Sequence, residues 1–504
     1  MKGKKIRYMI VVLFSILSFQ SVLFSESSGS DDNMIFNEYQ MQPEVFHPVS
    51  PGFGSVNSKG DLNIQVPIMT VPGRNGLNFD IKFSYSSGVT VFQSATWIGL
   101  GWSFDPGSIT RDVVGNIKNI DKVYGIDFPG REEEYAHDKY YLHINGSTIP
   151  YYKTNEGIHK NLTPSNEFVP NEFNHYKIEA SEFREEVSVD GEYTSHPDYH
   201  KFKVIKDDGT QYIYGKPTLA YYSQMNSEFR YENNPICYVS TWRLIAILAS
   251  DYRGPAEPDD YSTGGWIKFS YKYDETKEIL TYKDNEYFKN ETLYQLAYLH
   301  TIETPTHKAV FTTSIKSDKN LELSKPTNGT YSITRKLDQI KLYNKLNSGL
   351  TNVKTINLKY NQEGANIEFT KLYNIQITGT DNSEIQEYKF QYYMHDKSIT
   401  HALSQSLLYY DDFGYYNKST TPVGNIGDTT NAIVYSLKEI TFPSGGKEEY
   451  IYQVDRFTNS PTYCFFEYYT SNTNIESFAS ETKNKYQGGL RVKKIIRTAS
   501  VDDI

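Results

Sequence analysis

Cysteine is scarce in this sequence, since Cys237 and Cys464 are the two cysteines among 504 residues. Neither belongs to a CxxC pair, which excludes the usual structural zinc sites. In an oxidising compartment the two could form one disulfide. Two buried free thiols are an equally good interpretation, because the sequence does not show whether the two Cα atoms come within bonding distance.

An excess of positive charge is also absent, because 51 Lys and Arg residues stand against 61 Asp and Glu residues, a net charge of −10. The first 25 residues carry Lys2, Lys4, Lys5 and Arg7 and no acidic residue, so the chain without them has a net charge of about −14. A partner bound through a phosphate backbone needs a basic surface. We therefore predict no nucleic-acid partner.

The motifs of the common catalytic sites are missing. The sequence contains no GxSxG nucleophile elbow, no GxxxxGK[ST] phosphate loop, no HExxH metal motif and no EF-hand calcium loop. We therefore predict no catalytic residue, no cofactor-binding residue and no metal ligand, and we expect that the protein is not an enzyme. A small-molecule ligand is left open.

The nearest approach to a metal motif is HPDYH, with His196, Asp198 and His200. On a strand the three side chains share a face, but the two histidines lie about 13 Å apart, too far for one ion. On a helix they would converge, and Pro197 permits this only in the first turn. A solvated turn is the better interpretation.

Adjacent acidic residues could in principle form a glycosidase pair, which needs two carboxyl groups on either side of a sugar. The candidates are Asp411 with Asp412 and the run Glu132, Glu133 and Glu134. Neighbouring residues on a strand point to opposite faces, so solvated charge is favoured. The 44 tyrosines could also stack on sugars, although most must belong to the core or to sheet faces.

The N-terminus has the pattern of an export signal. A basic segment is followed by an apolar run from Tyr8 to Phe24, then by Ser25 and a polar stretch. We predict a signal peptide over residues 1–25, with an uncleaved anchor as the alternative, and a secreted or cell-surface location. Membrane contact is expected only through that segment.

Aromatic residues are abundant and favour strands over helices, because they pack well on pleated, half-buried surfaces. Strict alternation marks several segments, and the clearest is residues 77–85, where Leu77, Phe79, Ile81, Phe83 and Tyr85 alternate with polar residues. Residues 62–69 alternate as well, and Pro67 predicts an edge or a bulge there. Further strands are predicted in 201–215, 264–282, 352–361 and 447–455. Residues 241–250 suit either a short helix or a buried strand.

We therefore predict an all-β fold built on a large antiparallel sheet, with few or no helices beyond the signal segment. Residues 26–50 have no usable period and are interpreted as a linker. The β-rich chain is divided into 51–215 and 216–504.

Two neighbouring segments carry a family resemblance. The stretch GSVNSKGDLNIQVPIMTVPGRNGLNFDIKFSYSSG, followed by WIGLGWSFDPGSITRD, resembles the N-terminal region of Rhs and YD-repeat proteins, of the B component of Tc toxins and of the SpvB-like domain. The matching positions are Gly60, Leu62, Pro67, Val71, Pro72, Gly73, Arg74, Gly76, Leu77, Tyr85, Leu100, Gly101, Trp102, Ile109 and Arg111. Later segments extend the resemblance over about residues 51–500.

The resemblance implies part of a β-shell in which strands enclose a C-terminal effector that carries the toxicity. The family continues into many YD repeats, whereas here only YKYDETKEI (271–279) is a degenerate echo. The resemblance therefore implies a non-enzymatic, exported scaffold, with a protein partner or the rest of the shell as its binding partner. The alternative is a secreted all-β protein that binds or acts on carbohydrate. ADP-ribosyl transfer would need a catalytic domain that the sequence does not show.

Overall fold

The computed structural model describes a large part of the chain beyond residue 53, all of it within the compact unit Ser50–Ile504. The described residues are 54–57, 60–90, 93, 95–112, 139–153, 168–170, 176–181, 188–189, 192–193, 201–224, 236–259, 261–284, 288–316, 335–346, 349–360, 370–380, 385–393, 415, 432–457 and 485–499. The predicted signal peptide and linker lie outside them.

The elements with described bounds are all strands, which confirms the all-β prediction. They are β1 (Gly54–Val56), β2 (Leu62–Val71), β3 (Phe79–Ser86), β4 (Trp102–Ser103), β5 (Ser108–Asp112), β6 (Lys139–Ile144), β7 (Ser147–Lys153), β8 (Phe168–Pro170), β9 (Tyr176–Ser181), β10 (Ser188–Val189), β11 (Glu192–Tyr193), β12 (Lys201–Lys206), β13 (Gln211–Gln224), β14 (Ile236–Leu248), β15 (Trp266–Asp284), β16 (Phe288–Glu303), β17 (His307–Ile315), β18 (Arg335–Leu346), β19 (Gly349–Tyr360), β20 (Leu372–Thr378), β21 (Ile385–Tyr392), β22 (Leu437–Thr441), β23 (Lys447–Phe457) and β24 (Lys485–Thr498).

The first four strands form a small antiparallel sheet in the order β1-β2-β3-β4. Its alternation is the one the sequence predicts: Ile81, Phe83 and Tyr85 are buried, while Asp80 and Lys82 on the other face are exposed. The pairing of β2 with β3 shifts register between Pro67 and Met69. The predicted irregularity at Pro67 is therefore a bulge within the β2–β3 pair.

A second group of strands closes on itself. Strand β5 pairs with both β6 and β14, and the order continues through β7, β8, β9, β12 and β13 back to β14. The segment left open between helix and strand, residues 241–250, lies mostly in β14. That strand is paired along one edge by β13 and along the other by β5 and β15.

From β15 onward the sheet is an antiparallel meander, in which each strand pairs with the next through β24. Because successive strands alternate in direction, their connections lie at two opposite rims. One rim has the short connections after β16, β18, β20 and β22. The other rim has the long connections 316–334, 361–371, 393–436 and 458–484, together with the short one between β15 and β16.

The core lies between the small sheet and the long sheet. One continuous cluster of buried apolar residues joins β2 and β3 to strands from β5 through β24. Ring contacts cross this boundary, such as Phe79 with Phe269 at 5.0 Å and Trp102 with Phe390 at 4.7 Å between ring centroids. The small sheet therefore packs its apolar face onto the long sheet. None of the described residues belongs to a helix long and apolar enough to cross a bilayer.

Candidate functional site

Most residues that the sequence analysis weighed for chemistry lie outside the described residues. These are His196, Asp198, His200, Glu132, Glu133, Glu134, Asp411, Asp412 and Cys464. Cys237 belongs to β14, but its side chain lies outside the described part. Within that part, no three His, Cys, Asp or Glu residues are grouped as a metal site would require.

The residues of the family-like motif meet at the junction between the two sheets. The turn after β2 is fixed from outside, since the carbonyl of Pro72 accepts hydrogen bonds from the hydroxyl groups of Thr304 at 2.8 Å and Thr306 at 3.3 Å. The side-chain amide of Asn75 donates to the Asp251 carboxylate at 2.6 Å. The turn thus contacts the connections on both sides of the β15–β16 pair.

The same turn is also held from within. The backbone N–H of Leu77 donates to the carbonyl of Arg74 at 3.0 Å, and the N–H of Gly73 donates to the Asn78 side chain at 3.0 Å. A Cβ atom at Gly73 would lie 2.0 Å from the Leu77 carbonyl oxygen. Any side chain at position 73 would therefore force this turn open.

The GLGW segment attaches the small sheet to β20 and β21. Trp102 is fully buried, and its indole N–H donates to the hydroxyl of Tyr392 at 2.8 Å, which in turn donates to the carbonyl of Leu372 at 2.7 Å. The N–H of Leu100 donates to the carbonyl of Thr370 at 2.9 Å. A buried indole N–H without a hydrogen-bond partner would destabilise the fold. This chain of hydrogen bonds therefore selects one orientation of the Trp102 side chain.

Tyr85 is a second point of attachment, and its ring contacts that of Trp102 at 5.2 Å between centroids. Its hydroxyl accepts a hydrogen bond from the backbone N–H of Leu437 at 2.8 Å, while the Tyr452 hydroxyl donates to the Leu437 carbonyl at 2.8 Å. Burial raises the pKa of Tyr85 far above its ordinary value, against the opposing effect of the Leu437 N–H. The Tyr85 side chain therefore stays neutral, and its hydroxyl serves as a hydrogen-bond acceptor within the core.

Glu448 on β23 is the buried carboxylate of the described residues, with 2% of its surface exposed. The Tyr450 hydroxyl donates to one of its oxygens at 2.8 Å, and the Arg497 guanidinium donates to the other at 2.8 Å. A catalytic acid pair would need a second carboxyl group facing a space for substrate. Glu448 instead faces two donors within the sheet, so its arrangement is structural.

The two buried lysines of the described residues are also used internally. The Lys316 ammonium donates to the carbonyl of Ala95, and the Lys371 ammonium lies over the Tyr435 ring at 4.5 Å from its centroid. A buried cation is stabilised by such oxygen and ring contacts. The first contact joins Ala95 to the residue that follows β17, and Tyr435 packs against the buried cluster of Val89, Ala95 and Leu100.

Sequence reasoning pointed to the motif half of this junction and missed the other half. Nothing in the sequence separates Tyr392 or Tyr452 from the other tyrosines, and Thr304 lies in an ordinary turn. Tyr392 bonds Trp102 across 290 positions and Thr304 bonds Pro72 across 232, while Tyr452 bonds Leu437 across 15. The one usable signal was the motif itself.

Comparison with known proteins gives a narrow result. No family model matches this chain. No curated protein matches it either. A solved structure, the N-terminal domain of effector protein SpvB from Salmonella typhimurium strain LT2, is similar over 62% of this chain and 99% of that chain, with 12% sequence identity and a TM-score of 0.31.

Proposed function

We propose that this chain is a non-enzymatic, exported scaffold that forms part of the wall of an Rhs/YD-type β-shell. In this role the chain supplies a continuous sheet, and its binding partner is the rest of the shell or a protein that the shell contains. The proposal also places the protein outside the cytosol, at the cell surface or in the medium, with residues 1–25 as its signal peptide.

The observation that carries the proposal is the use of the motif residues. Pro72, Tyr85 and Trp102 bond residues of the long sheet, while Gly73 and Gly101 allow close approaches within the small sheet and its turn. The side chains that a family pattern singles out either take part in chemistry or binding, or stabilise the fold. Here their contacts are those of a joint between two sheets.

The paired strands add a second argument. In the meander from β15 to β24 each strand pairs with the next, although β16 and β17 pair only from Thr301 to Glu303, and such a series of paired strands suits a wall. The rival interpretation, a carbohydrate-binding or carbohydrate-active protein, requires a convergent acid pair or an exposed aromatic platform. The buried carboxylate of the described residues is instead bonded to Tyr450 and Arg497.

The test is co-expression of the full chain with the products of the reading frames next to its gene. If the proposal is right, a partner copurifies on size-exclusion chromatography and gains protection from protease. A second arm measures binding to a glycan array and hydrolysis of common polysaccharides. Specific glycan binding or hydrolysis without any protected partner would overturn the scaffold and favour the carbohydrate interpretation.

Export is tested separately by cell fractionation. The full-length chain should appear in the exported fraction with residues 1–25 removed, whereas a variant lacking those residues should stay in the cytosol. Recovery of the full-length chain in the cytosol, unprocessed, would contradict the proposed location. An exported chain that keeps residues 1–25 would show the anchor instead.

A further inference from the structure

A cleft opens where strands β16 and β17 separate. The two strands pair from Glu303 with Lys308 to Thr301 with Val310, and the pairing ends there. Beyond that point β16 continues along β15 and reaches β13, while β17 continues along β18. The space between them has a volume of about 320 Å³. This is near the lower end of the range for small-molecule sites.

One wall of the cleft is apolar and partly aromatic. Tyr298 and Leu299 come from β16 and Phe311 comes from β17, and all three are buried. Tyr298 and Phe311 are both in ring contact with Trp97, at 6.2 Å and 6.1 Å between centroids. This wall is therefore held in place by packing behind it, and a flat apolar group could lie against it.

The polar side of the cleft carries nitrogen cations and hydroxyl groups. Lys272, His300 and Arg335 line it together with the hydroxyl groups of Thr312 and Thr313, and no carboxylate is among the described lining residues. The cleft thus concentrates basic side chains in a chain whose acidic residues outnumber its basic ones by 61 to 51. The nearby carboxylate of Glu303 is directed to Lys345 at 2.8 Å and to Lys308 at 3.3 Å.

Lys272 has an exposed side chain and forms no ion pair within the described part of the chain. Burial lowers the pKa of His300, and the Lys272 ammonium lowers it further, against a hydrogen bond with the backbone of Phe311. At neutral pH the imidazole is therefore neutral, and it takes up a proton only in more acidic solution. The lysine and the arginine supply the positive charge at neutral pH.

We propose that this cleft binds a small amphipathic anion, in which a carboxylate, sulfonate or phosphate group is carried on an aromatic ring. The anionic group would receive charge-assisted hydrogen bonds from Lys272 and Arg335, which are about twice as strong as neutral ones. The ring would pack on Tyr298, Leu299 and Phe311. The proposal goes beyond the scaffold function and does not depend on it.

The first test is calorimetric titration of the full chain with benzenesulfonate, which stays anionic from acidic to basic pH. Saturable binding is expected, and uncharged benzenesulfonamide should bind at least about tenfold more weakly. Absence of saturable binding, or equal affinity for both compounds, would overturn the proposal. Phenyl phosphate and benzoate then show which head group is preferred, and binding of either one more tightly than benzenesulfonate supports the site.

Matched variants locate the binding. Lys272→Gln and Arg335→Gln should each weaken benzenesulfonate binding by at least about fivefold. Lys494→Gln, which removes the same charge from an exposed position on β24, should leave it unchanged. Thermal unfolding of each variant checks that it is folded. If Arg335→Gln does not fold, Lys272→Gln alone still tests the site. Equal weakening by Lys494→Gln would show a nonspecific charge effect and reject the site.

The pH dependence of the affinity provides a further test, because it would not change with His300 if that residue were only structural. The charged groups around His300 are Lys272, Lys308, Arg335 and Glu303, and the pKa of Glu303 is lowered by its lysine partners against burial. Affinity for benzenesulfonate should therefore rise as the pH falls from about 7.5 to about 5.5, because His300 gains a proton. His300→Asn should abolish this rise. A wild-type affinity independent of pH would contradict the assignment of His300 to the site.

Discussion

At the scale of single residues, several tyrosines of this protein place a hydrogen-bonding hydroxyl group within an apolar core. The hydroxyl groups of Tyr85, Tyr392 and Tyr452 bond residues of other strands, whereas that of Tyr450 bonds Glu448 within β23, and all four rings are buried. Burial raises the pKa of each of these phenols. A large ring with a polar tip thus fills the space between two sheets and also selects their register.

Two glycines with similar backbone angles provide a residue-scale prediction. Gly101 has φ +77°, and an added Cβ would lie 2.6 Å from the Tyr85 ring, whereas Gly76 has φ +79° with nothing within 4 Å. Gly76→Ala should lower the free energy of unfolding by about 1 to 2 kcal/mol through backbone strain alone. Gly101→Ala should add a further loss of about 1 to 3 kcal/mol from overpacking.

The measurement is chemical unfolding of both variants followed by fluorescence, with the wild type alongside. Gly76→Ala is the control, since it carries the strain of positive φ without the clash. Equal losses for the two variants would show that Tyr85 yields to the extra methyl group. In that case the close approach of Gly101 to the ring would not be a determinant of the junction.

At the scale of elements, the neighbouring strands decide whether a segment becomes a helix or a strand when its local sequence pattern fits both. Residues 244–248 of β14 are all buried, so they show a continuous apolar run with no alternation. That run suits a helix or a strand covered on both faces equally well. This segment forms a strand because β13, β5 and β15 all supply hydrogen-bond partners for its backbone groups. Alternation identified β3 correctly because one face of that strand is exposed to solvent.

Thr304 supports an element-scale prediction about the turn between β2 and β3. It is fully buried, and its hydroxyl bonds the Pro72 carbonyl at 2.8 Å and accepts from the backbone N–H of His307 at 2.9 Å. Thr304→Val keeps the shape and removes these bonds. The free energy of unfolding should fall by about 1 to 3 kcal/mol, because buried backbone groups lose a partner.

Hydrogen exchange should locate the effect of Thr304→Val at the turn, with faster exchange of the Leu77 amide, which is otherwise bonded to Arg74. Thr70→Val is the matched control, since its hydroxyl bonds Asp80 on an exposed surface at 2.6 Å. That variant should lose less than about 1 kcal/mol. A larger loss for Thr70→Val than for Thr304→Val would show that the turn is not held from the long sheet.

At the scale of the whole molecule, the two rims of the meander differ in a way that suits a wall. The connections at one rim are two to six residues long, while the connections at the other rim include the four long ones. Insertions are tolerated where strands are joined at a surface, and functional variation usually occurs there. If the scaffold proposal is right, contacts specific to a partner should map to the long connections more than to the strands.

Stability of the whole molecule should depend on pH in a window set by histidine. Burial lowers the pKa of His143, His300 and His307 in the folded protein. Between the folded and unfolded pKa values the unfolded chain binds more protons, so the free energy of unfolding rises with pH there. Stability should therefore be full above about pH 6.5 and fall as the solution becomes more acidic.

Urea unfolding at about pH 7.5 and about pH 5.5 measures this effect as a shift in the midpoint at constant slope. Replacing the three histidines by Gln should flatten the dependence in this range. The carboxylates with lowered pKa, such as Glu303 and Glu387, act in a separate window below about pH 4.5. An unchanged pH dependence in the triple variant would assign the effect to other groups.

The sequence by itself determined the fold class and much of the local structure. Alternation identified β2 and β3, and Pro67 indicated an edge or a bulge. The Pro72–Gly76 turn and Trp102 were marked as special because proline fixes φ, glycine tolerates positive φ and a tryptophan between small residues can be deeply buried. These are properties of single residues and their near neighbours. They can be read without knowledge of the fold.

Only the tertiary structure decided what the marked residues contact. Trp102 meets Tyr392 across 290 positions and Tyr85 meets Leu437 across 352 positions, and no local pattern encodes either pairing. The cleft between β16 and β17 likewise exists because three separate strands bring Lys272, His300 and Arg335 together. Contacts between distant segments depend on how sheets pack as wholes, and that packing is a property of the complete fold.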